Sequence, residues 1–334
     1  MSTIVEIAKR AGVSHQLVSN VLNSGNNRIR ASKATQEKIH RIAKELAYRP
    51  HRASQMLREN LFRSVGVLIG GDGNAFYVPQ QVLTSLSQTL SREGYTTTLV
   101  GIEGFNPKSI LECEFLKTRM VDLLLISYVL PIPSDIFESI QNIDIPTLWL
   151  MRKTEHDAVY IDEKGGSSQL VHHLVEKGHR RITFVDYTYG MMHPALEERL
   201  KGFDEITSKL GVEAHRIIGT SVPRNQRFSV IENLLKQKDR PHAIIANSMS
   251  NAQIIIQTAH HLGLNIPKDL AVVSFDEHLE NNHMVSLPTI TCAIRSNTDF
   301  GVAVAAMTLE KIQNPNSVLT SKCMPYDLVL GGST

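Results

Sequence analysis

From Ser64 onward the chain alternates continuous apolar runs with amphipathic stretches, and this alternation limits the fold more than any other feature. "VGVLIG" (65–70), "TTLVGI" (97–102), "VDLLLIS" (121–127) and "PTLWLM" (146–151) are separated by helical patterns such as "PQQVLTSLSQTLSREG" (79–94). A second series follows: "RITFVDY" (181–187), "HRIIGT" (215–220), "HAIIANS" (242–248) and "AVVSFDE" (271–277). Runs that are apolar throughout belong to strands covered on both faces, and intervening helices supply the crossovers that parallel pairing needs. Two such series predict two doubly wound parallel-sheet subdomains facing across a cleft. At 334 residues the chain is long enough for two or three domains, each with its own core.

The first 60 residues follow a different pattern. In "TIVEIAKRAG", Thr3 and Glu6 have capping-box spacing, Ile4, Ile7, Ala8 and Ala11 recur at helical intervals, and Gly12 permits a left-handed stop. Ser14 then caps a second helix through Leu22, with Val18, Val21 and Leu22 on its buried side. A third helix, about Ser32 to Leu46, buries Ile39, Ile42, Ala43 and Leu46. Two short helices joined by a glycine turn and braced by a third form a helix-turn-helix. Its second helix carries His15, Gln16, Ser19 and Asn20 on the flank opposite the apolar one. A core helix has no use for such a flank. A helix that enters the major groove by its N-terminal end does.

Charge follows the same division. The first 60 residues hold eleven Lys/Arg against four Asp/Glu, and the other 274 hold 24 against 29, so a net +2 conceals a basic head on a mildly acidic body. The head is suited to a polyanion and the body is not. No apolar stretch approaches the ~20 residues of a membrane-spanning helix, and "MSTIVEIAKR" lacks signal-peptide character. Cys113, Cys292 and Cys323 are few and far apart, which suggests neither a disulfide framework nor a zinc site. A cytoplasmic protein is expected.

"TIVEIAKRAGVSHQLVSNVLN", followed by "ELAYRP", resembles the DNA-binding head of the lactose-repressor (LacI/GalR) family of bacterial transcriptional regulators. The resemblance runs along essentially the whole chain, through "VDLLLIS", "GHRRITFV", "ERLKGF" and "VVSFDE". It implies an all-α helix-turn-helix domain over 1–48, a hinge helix and linker over 49–60, and a periplasmic-binding-protein-like body over 61–334. Within that body the chain would cross between lobes three times. The first lobe would take about 61–161 and 293–320, the second about 162–292 and 321–334. The implied DNA contacts are Thr3, Ser14, His15, Gln16, Ser19, Asn20 and Asn23, with Leu57 of "YRPHRASQMLREN" as a minor-groove wedge in a hinge helix paired with its dimer mate. By composition alone Leu57 fits equally well as a residue packing the linker against the next domain. Family members often carry arginine where this chain has Asn20. Arginine suits guanine and asparagine suits adenine, so the operator sequence stays open.

In parallel sheets ligands bind beyond the carboxyl ends of the strands. Reading those ends yields Asn74, Phe76, Tyr77, Tyr128 and Arg152 in the first lobe and Arg199, Asn247 and Asp276 in the second. Aromatic faces with Arg, Asn and Asp forks suit a sugar. Singly, each residue also fits a plainer role: Phe76 and Tyr77 in a core, Arg152 in a surface ion pair, Asn247 as a strand-end cap. Arg199 and Asp276 match the family's effector positions most directly. The family often has Asn-Asp where this chain has Asn247–Ser248, and an aromatic near Val222. The lost carboxylate leaves Arg152 and Arg199 unopposed and admits an anionic effector such as a sugar phosphate or uronate.

Catalytic and cofactor motifs are missing from the sequence. "GGDGNAF" lacks the third glycine of a dinucleotide loop, and there is no Walker lysine motif. His172–His173 and His260–His261 are adjacent pairs without metal-site spacing, and no nucleophile elbow occurs. "LVLGGST" carries no heptads, so a homodimer without a tetramerising coiled coil is expected. The expected function is a non-enzymatic, effector-controlled repressor of carbohydrate-metabolism genes, with operator DNA and a small sugar-like molecule as partners, no cofactor and no metal. The alternatives are a sugar-binding protein with an incidental basic head and an architectural DNA binder without effector control.

Overall fold

Local capping chemistry sets the helices of the head in the computed structural model. The model describes residues 3–23, 31–48, 61–70, 78–102, 107–118, 120–128, 132–187, 194–219, 222–276 and 287–334. Helices α1 (Ile4–Ala11), α2 (His15–Asn23) and α3 (Lys33–Glu45) start at Thr3, Ser14 and Ser32, whose hydroxyls accept from the amides of Glu6, Leu17 and Thr35. Gly12 ends α1 at φ +71°, a left-handed conformation that favours glycine. Ile7, Val18 and Ile39, one from each helix, are fully buried at the centre of a small core. Lys38 Nζ donates to the carbonyl of Ala11 over 2.9 Å, pinning α3 to the C-terminal end of α1 where the helix dipole favours a cation. The implied hinge helix, with Leu57, lies outside the described residues.

The chain divides into two compact units, residues 1–63 and 64–334. The second unit starts with β1 (Ser64–Gly70), α4 (Gln80–Arg92), β2 (Thr96–Ile102), α5 (Pro107–Glu112), α6 (Glu114–Lys117), β3 (Leu123–Ile126), α7 (Ser134–Gln141), β4 (Thr147–Leu150) and β5 (Ala158–Ile161). The chain then passes to the second lobe as α8 (Glu163–Glu176), β6 (Arg181–Asp186), α9 (Pro194–Leu210), β7 (Glu213–Ile218), α10 (Arg227–Leu235), β8 (Ala243–Ala246), α11 (Met249–His261), β9 (Ala271–Asp276) and β10 (Thr291–Ile294). Helix α12 (Asn297–Gln313) and β11 (Lys322–Met324) return to the first lobe, and β12 (Asp327–Val329) ends in the second.

One sheet runs β11-β5-β4-β3-β1-β2 and the other β12-β10-β9-β8-β6-β7. All pairings are parallel except β10 with β12. In both sheets the first strand of the lobe lies between the second and the third, so the direction of winding reverses beside it. That reversal opens a crevice at the carboxyl ends of β1 and β3 in one lobe and of β6 and β8 in the other. The central strands are buried as expected: Leu123–Ile126 and Ala243–Ala246 are all inaccessible to solvent. The runs at 97–102 and 215–220 depart from that expectation, because they form the edge strands β2 and β7, where Leu99 and Glu213–Arg216 are exposed. Covering helices close the faces, with Phe184 of β6 set edge-on against Phe203 of α9 at 5.6 Å.

The last handover between the lobes differs from the expected boundary at 321. Lys322–Met324 pairs in parallel with Val159–Ile161, and the amide of Asp162 donates to the carbonyl of Met324. Strand β11 thus extends the first sheet, and the crossing falls between Met324 and Asp327. The physical reason is the edge of β5, whose amides and carbonyls need partners that β11 supplies.

Candidate effector cavity and DNA-reading helix

Helix α2 exposes His15 and Gln16 to solvent, with Ser19 and Asn20 half-buried, while Val18 and Val21 fill the core of the head. The Gln16 side-chain amide donates to Asn20 Oδ1 over 3.4 Å. Exposed donors and acceptors at the N-terminal end of a short helix, backed by a rigid apolar face, are the chemistry that reads base edges. Thr3 and Ser14 are exposed and cap their helices, and Asn23 is the last residue of α2.

In the body, Arg199, Asn247 and Asp276 come together. With Ser248, Met249, Ser250 and Phe275 they line a cavity of about 210 Å³ at the carboxyl ends of β8 and β9. Ser248, standing where the family often has a carboxylate, caps α11 by accepting from the amide of Asn251. Tyr128 and Arg152 do not line this cavity. They lie beyond the carboxyl ends of β3 and β4 in the first lobe, with the Arg152 guanidinium 5.7 Å above the Trp149 ring. Burial lowers the Arg152 pKa against the opposing pull of Tyr128, and raises that of the Tyr128 phenol. Asn74, Phe76 and Tyr77 lie outside the described residues.

Arg199 is not unopposed, which corrects the expectation. Its Nε donates to Glu163 Oε2 at 2.6 Å, Nη1 donates to both the carbonyl and the side-chain oxygen of Asn247 at 2.9 Å, and Nη2 donates to the Tyr326 hydroxyl at 2.8 Å. The Tyr326 hydroxyl in turn donates to Glu163 Oε2 at 2.7 Å. The guanidinium carbon sits 4.1 Å over the Phe275 ring, a cation–π contact in a desolvated place. Burial disfavours the Arg199 charge, but Glu163 and Tyr326 more than offset it and its pKa is raised. Four of the five guanidinium N–H groups are thereby used, leaving one on Nη2 for the cavity. The charge that argued for an anionic effector is thus neutralised at Arg199, and of these two arginines Arg152 alone has no carboxylate partner among the described residues.

Asn247 does two things at once. Besides holding Arg199 it donates from Nδ2 to Asp186 Oδ1 at 2.9 Å, and Asn251 Nδ2 reaches the same oxygen at 3.3 Å. A polar chain therefore runs along the mouth of the second sheet from Tyr326 and Glu163 through Arg199 and Asn247 to Asp186. Sequence reasoning missed Glu163, Tyr326 and Phe275. For Glu163 the one available signal is its place directly after a capping aspartate, Asp162, in "YIDEKGG".

A helix-turn-helix unit in one chain with a two-lobed, doubly wound ligand-binding body is the build of a DNA-binding transcriptional regulator. The comparisons agree in both halves: residues 3–51 match the model of bacterial regulatory proteins of the lacI family, and residues 171–334 match that of a periplasmic binding protein-like domain. Together the two matches support a LacI-family regulator. It is 24% identical over 324 residues to the HTH-type transcriptional repressor PurR of Vibrio atlanticus, covering 94% of this chain and 93% of the relative. It is 25% identical over 319 residues to the ribose operon repressor of Haemophilus influenzae, covering 95% and 93%. Among solved structures it is similar to the lac repressor dimer bound to operator and the anti-inducer ONPF, with a TM-score of 0.78, 22% identity and coverage of 100% and 99%. A complex of the transcriptional regulator CelR with cellobiose matches with a TM-score of 0.66 at 22% identity, covering 100% of both chains.

Proposed function

We propose that this protein is a cytoplasmic, homodimeric repressor of carbohydrate-metabolism genes, whose affinity for operator DNA is set by a small sugar-like effector held between the lobes. It carries out no catalytic step. The observation that carries this reading is the cavity at the carboxyl ends of β8 and β9. Asp276 offers a carboxylate acceptor there, Arg199 offers one fixed donor, and Ser248 and Ser250 offer hydroxyls. Paired donors and acceptors around a small volume suit the vicinal hydroxyls of a sugar ring. Relatives named for ribose and cellobiose support a carbohydrate, and the relatives named PurR keep a different small molecule in play. His15, Gln16, Ser19, Asn20 and Asn23 read bases in the operator, with Thr3 and Ser14 beside them on the backbone and Leu57 at its centre. Residues 49–60 are the only covalent route by which the body can influence the head.

The test has two stages. Selection of binding sites from random DNA should return one dyad-symmetric sequence with steep salt dependence. A thermal-shift screen of monosaccharides, disaccharides and purine bases should then yield a ligand that changes affinity for that sequence. Specific DNA binding with no ligand effect would make the protein an architectural binder. Ligand binding with no DNA preference would make it a sugar-binding protein.

A further inference from the structure

We propose that Glu163 and Tyr326 are positioning residues that fix Arg199 at the effector cavity and tie it to the chain passages joining the two lobes. The proposal rests on the reading of the cavity as the effector site and concerns how occupancy there reaches the lobe geometry. The chain passes between lobes three times, between Ile161 and Glu163, between Ile294 and Asn297, and between Met324 and Asp327. Glu163 ends the first passage and Tyr326 lies within the third. On the second, Arg295 is 6% exposed and near enough for its charge to act on the Tyr326 phenol.

Arg199 belongs to none of these passages. It projects from α9, yet its guanidinium closes a three-membered ring with the Glu163 carboxylate and the Tyr326 hydroxyl, each side of which is 2.6 to 2.8 Å. The Ser167 hydroxyl, one turn along α8 from Glu163, donates to the Arg199 carbonyl at 2.7 Å and fixes the backbone as well. A group held this way has one geometry. Glu163 and Tyr326 stand where two of the passages meet the second lobe, so a change in how the lobes are set pulls on both and strains or breaks the ring. Conversely, a ligand that takes the remaining Nη2 hydrogen favours the lobe setting in which the ring is intact, which is differential affinity for two conformations.

A purely structural role predicts lost stability alone, so the test reads lobe geometry. Dyes at Glu138 and Lys209, exposed positions on α7 and α9, report the inter-lobe distance by single-molecule FRET in the full chain with Cys113→Ser and Cys323→Ser. Neither DNA nor ligand is needed, so the outcome is independent of whether the protein is a repressor. Tyr326→Phe removes one hydroxyl, Glu163→Gln removes the charge, and Arg199→Lys keeps the charge but loses the fork. All three should shift and broaden the distribution. Asp157→Asn is the control: it breaks the Lys311–Asp157 pair at 3.0 Å inside the first lobe, and should lower Tm without moving the distribution. Wild-type distributions in Tyr326→Phe and Arg199→Lys, with circular dichroism showing both folded, would overturn the proposal. If Glu163→Gln fails to fold, those two variants decide.

Discussion

Gln16 and Asn20, one turn apart on α2, hold each other through a 3.4 Å hydrogen bond from the Gln16 amide to Asn20 Oδ1. The bond is long, hence weak, and on a helix surface such pairs contribute about 0.2–0.5 kcal/mol. Its worth lies in geometry: it turns the Asn20 amide so that both side chains address one neighbourhood.

Replacing Asn20 should therefore alter more than one base preference. Asn20→Arg removes the acceptor for Gln16 and adds a fork suited to guanine. Discrimination at one half-site position should change by about 1–3 kcal/mol, with a smaller change beside it where Gln16 is released. Site selection from random DNA with both proteins is the measurement. Identical preferences would remove Asn20 from the readout set.

Arg199→Ala and Asp276→Asn should behave differently, although both residues line the cavity. Removing Arg199 strands the Glu163 carboxylate at a site where both side chains are about one-tenth exposed, at 11% and 10%. Breaking a buried pair by removing one partner costs about 3–5 kcal/mol, so Arg199→Ala should lower the urea midpoint markedly before any ligand is added. Asp276→Asn keeps the shape, yet removes the charge and turns one of the two acceptor oxygens into a donor facing the ligand hydroxyl. Calorimetry with the ligand found by screening should show at least tenfold weaker binding to Asp276→Asn. Unchanged affinity would place Asp276 outside the site.

The head was legible because its signals are local. Thr3, Ser14 and Ser32 sit within three residues of the amides they cap, and Gly12 stops a helix that its own neighbours define. Asn247 and Asp276 were legible for a related reason, since the end of an apolar run marks the mouth of a parallel sheet. Glu163 and Tyr326 were not. They meet across 163 residues of chain, and only the return of β11 to the first sheet brings Tyr326 to Arg199. Strand β11 itself spans only Lys322–Met324 with Lys322 and Cys323 exposed, so neither periodicity nor apolarity marks it.

Stability should decline on mild acidification through two histidines of the second lobe. His173 Nε2 lies 2.9 Å from the Thr334 hydroxyl, which is 2.8 Å from that of Thr291. Burial holds the His173 pKa below 6.5, aided by Lys177 and opposed by Glu176. Burial also lowers that of His179, beside the charges of His242 and His173. A base whose folded pKa is depressed takes up a proton on unfolding, so its contribution is intact above pH ~6.5 and is lost as pH falls through the folded value. The expected slope is about 1.4 kcal/mol per pH unit for each proton taken up. Tm should be level near pH 7.5 and fall below 6.5, and His173→Gln should flatten part of that fall. An equally steep fall in the variant would assign the acid sensitivity to other groups.

Gly166→Ala should destabilise the protein even though alanine is the better helix former by about 1 kcal/mol. A Cβ on Gly166 would lie 2.5 Å from Cδ2 of the Tyr326 ring and 3.0 Å from Cε1 of Phe275. Neither ring is free to swing away. Tyr326 is held by its hydroxyl to Glu163 and Arg199, and Phe275 lies under the Arg199 guanidinium while meeting Tyr326 edge-on at 5.5 Å. Overpacking of this kind costs about 1–3 kcal/mol, which exceeds the propensity gain, so urea unfolding should show a net loss. The clash is with the ring that the Tyr326 hydroxyl tethers, so Tyr326→Phe should lower the cost of Gly166→Ala only in part. Tyr326→Val removes the ring atoms and should reduce that cost, leaving alanine's helix preference to show. A cost equal in all three backgrounds would mean that α8 absorbs the methyl by shifting as a whole, and that Tyr326 is not what requires glycine at this position.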